Sequence, residues 1–119
     1  VRHLYGDRVV FHDGDGEIAP GLTVHHIGGH TMGIQSVRVW TRNGWLVLAS
    51  DAAHYYWGIE DDKLFAIVFN VADMLDGYDK LKKLADGRQD MVVPGHDARV
   101  MERYPPSSEA LKGWAVRLD

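Results

Sequence analysis

The chain reads as an α/β domain in which helices cover a mixed β-sheet, and three observations carry that reading. Its first half alternates apolar and polar residues between turn clusters, its second half switches to helical spacing, and a short apolar run then returns to the strand pattern. Taken in order, Arg8 to Asp13 is β-rich and ends at Gly14-Asp15-Gly16. Pro20-Gly21 opens a strand over Leu22 to Ile27, which Gly28-Gly29 closes. Ser36 to Thr41 alternates, Arg42-Asn43-Gly44 supplies a hairpin turn, and Trp45 to Ala49 is apolar throughout, as a central strand would be. Val71, Met74, Leu75, Tyr78, Leu81, Leu84 and Ala85 fall on one stripe of an amphipathic helix that Asp86-Gly87 ends. Asp90 to Val93 is a short strand that meets Pro94-Gly95, and Ala98 to Tyr104 reads as a helical turn broken by Pro105-Pro106. Ser107 to Asp119 reads as a C-terminal helix capped by Ser107 or Ser108. Phe65 and Phe69, at helical spacing, read as core, whereas Tyr55, Tyr56 and Trp57 read as candidate walls of an apolar pocket.

Composition narrows the function. At 119 residues, 45% of them hydrophobic and 25% charged, the chain is one domain or a piece of one, and no linker or internal repeat divides it. A formal charge of -4 and the lack of Lys/Arg runs interleaved with aromatics argue against a nucleic-acid partner, leaving a small molecule or a protein. The absence of cysteine removes disulfides, thiol catalysis and Cys-type zinc sites, so any zinc must be held by imidazole and carboxylate. No apolar stretch approaches the ~20 residues of a membrane helix, and the cytoplasm is the expected compartment.

Three turns concentrate the chemistry. Gly28-Gly29-His30-Thr31-Met32-Gly33, Ser50-Asp51-Ala52-Ala53-His54 and Pro94-Gly95-His96-Asp97 each follow a strand-like run and each present a metal-ligand type. His30, Asp51 and His96 are far apart in sequence, so only their shared placement at strand ends suggests convergence at one sheet edge. Singly, each has an ordinary reading as a loop or capping residue. Asp97 suits either a second shell that orients His96 or an N-cap for the segment after it. Elsewhere His3, His12, His25 and His26 form no ligand grouping: His25 and His26 are adjacent, and alternation sends their side chains to opposite sheet faces.

Gly29-His30-Thr31-Met32-Gly33, Ser50-Asp51-Ala52 and Pro94-Gly95-His96-Asp97, in this order over residues 22–97, resemble the downstream metal motifs of the metallo-β-lactamase superfamily, and within it those of the N-acyl homoserine lactonase-type hydrolases. The resemblance implies a four-layered αββα sandwich, of which residues 1–119 would be a single partial domain, the C-terminal half. It implies two zinc ions in the complete site, His30 completing the first, Asp51 bridging both and His96 completing the second. It implies hydrolysis of a lactone or ester by a metal-held hydroxide. A tyrosine of the relatives, three residues after the bridging aspartate, is replaced here by His54, which becomes the candidate oxyanion partner or proton donor beside Asp51. The family's upstream His-x-His-x-Asp-His motif is missing, so the chain alone is expected to hold zinc weakly or partially and to be inactive. The alternative is a non-catalytic α/β domain. Either way, half a sandwich is expected to self-associate or to pair with the other half.

Overall fold

The computed structural model describes residues 9–119. Five strands form one sheet in sequence order: β1 (Gly16–Ala19), β2 (Leu22–His26), β3 (Gln35–Thr41), β4 (Gly44–Ser50) and β5 (Val92–Pro94). The first four pair antiparallel and β5 joins β4 in parallel. A parallel neighbour needs a crossover, and here it carries α1 (Tyr56–Asp61) and α2 (Val71–Leu84). Helix α3 (Val100–Arg103) follows β5.

The β3–β4 hairpin closes as the turn residues predict. Thr41 pairs with Gly44 across Arg42-Asn43, and Gly44 adopts φ 107°, open to glycine alone at no steric cost. Helix α2 starts where Asn70 caps it, its side chain accepting from the amides of Ala72 and Asp73 at 2.9 and 3.1 Å. Its stripe of Met74, Tyr78 and Leu81 is buried with Val47, Ala49 and Val92 of the sheet. Arg38 fixes the other end: its Nε donates to the Leu84 carbonyl at 2.6 Å while its guanidinium stacks on Trp45 at 3.8 Å. Because Arg38 stands opposite Val47, these residues mark the helix-covered face.

The other face is aliphatic. Register places Leu22 beside Val39 and Val24 beside Val37, and then Val37 beside Leu48, Val39 beside Leu46, and Leu48 beside Val93. A sheet apolar on both sides belongs to an interior layer, as the sandwich requires. Among the described residues no helix is long and apolar enough to cross a membrane.

Four sequence expectations change. The strand read at Arg8 to Asp13 forms one turn later as β1, residues 9–12 being without regular structure; Arg8, like His3, lies outside the described residues. Instead of a helix over Ser107 to Asp119 there is one 3₁₀ turn (Glu109–Leu111), after which Gly113 takes φ 81° and the chain doubles back through a Pro106–Val116 bridge. Phe65 is buried as expected, but Phe69 is 65% exposed, because residues 62–69 are not helical and the spacing has no meaning there. Tyr56 is core rather than pocket wall, with Arg103 stacked on its ring at 3.6 Å.

A network at the open end ties β2 to α2. Asp15 accepts from Lys80 at 2.8 Å and from the His26 amide at 3.0 Å, and lies 2.9 Å from His25 Nδ1. Partial burial pushes its carboxyl upward, but these hydrogen bonds outweigh it and hold the group at about 2, below the ordinary 3.8. A depressed folded value means that the contribution is complete above the unfolded value and disappears as pH falls through about 2. Since both partners are substantially exposed, Asp15→Asn is expected to cost under about 1 kcal/mol at neutral pH and nothing in strong acid, measured by urea denaturation at both pH values.

Gly29 makes a sharper demand. It sits at φ 89°, and a Cβ there would meet the Met74 Cα at 2.5 Å, while its carbonyl accepts from the Phe69 and Asn70 amides. Gly29→Ala is expected to destabilise by about 1–3 kcal/mol, lowering the urea midpoint, because the strained backbone and the start of α2 must both move.

Candidate metal centre

The site is built where β4 and β5 end. Val47, Leu48 and Ser50 pair with Val92, Val93 and Pro94, and the two turns that follow stay joined: Gly95 N–H donates to Ala53 O at 2.9 Å and His96 N–H to His54 O at 3.0 Å. Only glycine permits this approach, since a Cβ on Gly95 would lie 2.6 Å from the Ser50 carbonyl oxygen. Ser50 itself turns through φ 51°, swinging Asp51 off the strand.

Asp51, His54 and His96 therefore meet. One donor atom from each lies within 4.8 Å of the others. His96 Nε2 donates to Asp51 Oδ1 at 2.6 Å, and His54 Nε2 is 3.7 Å from the same oxygen. His54 is half enclosed: its ring stacks on Phe65 with centroids 3.6 Å apart and stands 4.4 Å from the His96 ring. Its Nε2 is buried and has no hydrogen-bond partner among the described residues. Burial, then the neighbouring His96, lower the affinity of His54 for a second proton, with Asp51 opposing and His30 adding to the effect. A neutral imidazole with an unshared nitrogen is the form that ligates metals or accepts a proton.

His30 completes the convergence from the β2 side. Its ring lies 5.4 Å from that of His54 and 5.5 Å from Phe65, outside the three-residue donor group. Its Nδ1–H donates to the Ile67 carbonyl at 2.8 Å, leaving Nε2 as the basic nitrogen. Ligating histidines are commonly fixed this way by a carbonyl on the far nitrogen. All four residues singled out from the sequence thus share one place, with His54 nearer to Asp51 and His96 than His30 is. The donor chemistry, one carboxylate and imidazole nitrogens, fits a borderline divalent cation. Sequence reading missed the Ile67 carbonyl, which has no side-chain signature, and did not foresee Phe65 as the surface beneath His54.

Asp97 anchors the His96 turn. Its side chain is 7% exposed and accepts from the Tyr56 amide at 2.9 Å, the Arg99 amide at 2.9 Å and the Arg99 guanidinium at 2.8 Å. The Arg99 contact, against partial burial and with both amides helping, holds its carboxyl down at about 2. Neither sequence reading of Asp97 is met as stated, since its carboxylate bonds the Tyr56 amide and Arg99 rather than the His96 ring, and α3 begins after Arg99 without a side-chain cap; instead it turns the local backbone and links that turn to the first residue of α1, two residues after His54.

Known proteins resemble this chain in sequence and fold. No family model matches the chain. An N-acyl homoserine lactonase from a Bacillus species is 33% identical over 86 residues, which are 71% of this chain and 34% of that protein. The structure of an N-acyl homoserine lactone hydrolase with N-hexanoyl-L-homoserine bound at its catalytic metal centre superposes with a TM-score of 0.67 at 28% identity, over 76% of this chain and 36% of that one. A quorum-quenching N-acyl homoserine lactone lactonase gives 0.65 at 30% identity, over 73% and 36%. The mixed sheet and its helices are thus the α/β architecture of the metallo-β-lactamase type. Within that type the chain is related to the lactonase-like proteins, and it spans about a third of the length of those it matches, a coverage that fits the expected C-terminal half.

Removing the Asp97 carboxylate orphans two backbone amides. Asp97→Ala is expected to cost about 1–3 kcal/mol in urea denaturation and to broaden the His96 ring signals in NMR spectra.

Proposed function

We propose that the chain carries the downstream half of the metal site of a zinc-dependent hydrolase that opens lactones or related esters. The observation that supports this most directly is the convergence of His30, Asp51, His54 and His96 from three separate turns, in a chain related to lactonases. His30, Asp51 and His96 would hold zinc, with Asp51 shared between two ions in the complete site. When bound, zinc supplies Lewis acidity and lowers the pKa of water from about 15.7 to about 7. The protein groups do the rest. Phe65 shields one face of His54 from water, and the neutral His54 can donate a hydrogen bond to the substrate carbonyl, or accept the proton released by the attacking water and then, as imidazolium, return it to the ring oxygen as it leaves. A lactone leaves no separate fragment, so that proton completes the hydroxy-acid product. The aliphatic sheet face would be covered by the preceding half of the sandwich or by a second copy.

Zinc titration of the chain and of His96→Ala tests the ligand set. The parent is expected to hold zinc and His96→Ala to hold less; equal content in both removes His96. In a chain completed by the upstream ligand segment, His54→Ala is expected to lower lactone opening about 10²–10⁴-fold with zinc content unchanged, measured by proton release. Loss of zinc in that variant would instead make His54 a ligand.

A further inference from the structure

At the opposite end of β4 from the metal centre lies a cavity of about 560 Å³, a volume ordinary for a small-molecule site. Strand β4 runs from Gly44 to Ser50, so at about 3.3 Å per residue the two places are roughly 20 Å apart. Three arginines enter the cavity from three separate segments: Arg88 after α2, Arg103 at the end of α3, and Arg117 near the C-terminus. Buried Met91 and half-buried Leu118 give it an apolar floor.

We propose that this cavity binds a small dianion, a carboxylate or phosphate compound on a short apolar stem. Among the described residues its cations are all guanidinium, whose planar fork matches oxyanions in pairs, and no lysine lines it. Arg88, Arg103 and Arg117 outnumber the acidic groups that line it, Asp90 and Asp119, while Glu60, outside the lining, pairs with Arg103. The guanidiniums are partly engaged but not enclosed. Arg88 donates to Asn43 O at 2.8 Å and to Asp90 at 2.9 Å, Arg103 to Glu60 at 2.7 Å, and Arg117 Nε to the Asp119 carbonyl at 3.0 Å. With about five N–H donors on each fork, these contacts leave edges for an incoming oxyanion. The ion pairs are solvent-exposed and of the kind worth about 0–1 kcal/mol, so an anion bridging two forks can exchange with them. Such a ligand would join the loop after α2 to the C-terminal segment, which Arg42 already ties to the hairpin through Asp119 at 3.0 Å.

Titration of the chain with inorganic phosphate and, separately, with succinate, at constant ionic strength set by chloride and followed by amide NMR, tests this. Saturable shifts confined to the segments around Arg88, Tyr104 and Leu118 are expected with one anion or both. Phosphate alone identifies a phosphate compound, and succinate alone a carboxylate. Arg117→Ala is expected to weaken binding about tenfold, and Arg88→Lys, which keeps the charge and fold but loses the fork, to weaken it also. Non-saturating shifts with both anions, shifts spread over the Lys80 to Lys83 surface, or equal affinity in both variants would overturn the assignment.

Discussion

The parallel pairing of β4 with β5 is the constraint on which the rest of the structure depends. Three residue pairs, Val47 with Val92, Leu48 with Val93 and Ser50 with Pro94, set two loops side by side although 45 residues separate Asp51 from His96. Everything between them is shaped by that closure. Helices α1 and α2 lie over the sheet because parallel strands need a crossover, and their apolar stripe is what keeps the crossover on one face. Gly95 then allows the loops to touch, and two backbone hydrogen bonds hold them.

Electrostatics at the loop ends follow from that geometry. Three imidazoles and one carboxylate occupy a small, partly dry space, so the group least able to reach water, His54, is the one whose extra proton is disfavoured. The turn behind it is arranged in the opposite sense: Asp97 is surrounded by donors and stays ionised. A neutral acceptor in front and a fixed charge behind form a frame, which positions Asp51, His54 and His96 better than side chains on a loop could be positioned unaided.

Much of this was legible in the sequence where a pattern had a structural partner. Helix α2 and the β3–β4 hairpin appear almost where periodicity and the Asn43-Gly44 turn put them, and the three turns carrying His30, Asp51 and His96 converge. Illegible parts depend on pairing that no local pattern encodes. Residues 9–12 have strand-like composition but no regular structure, while the mostly exposed β1 gains its strand from β2. The C-terminal segment has helix-forming residues without a buried stripe, and it follows the Pro106–Val116 bridge instead. Tyr56 looked like a pocket residue because the short helix α1, anchored from Asp97 forty-one positions away, has no sequence signature of its own.

The long separation between the two site loops also bears on how the cluster of side chains is assembled over time. Hairpins β2–β3 and β3–β4 join neighbours in the chain and can form early, whereas the β4–β5 contact must wait for the whole crossover to be ordered. Asp51 and His96 are strangers until that last strand docks. A partly folded chain therefore presents scattered histidines rather than a cluster, and the appearance of the cluster marks the completion of folding.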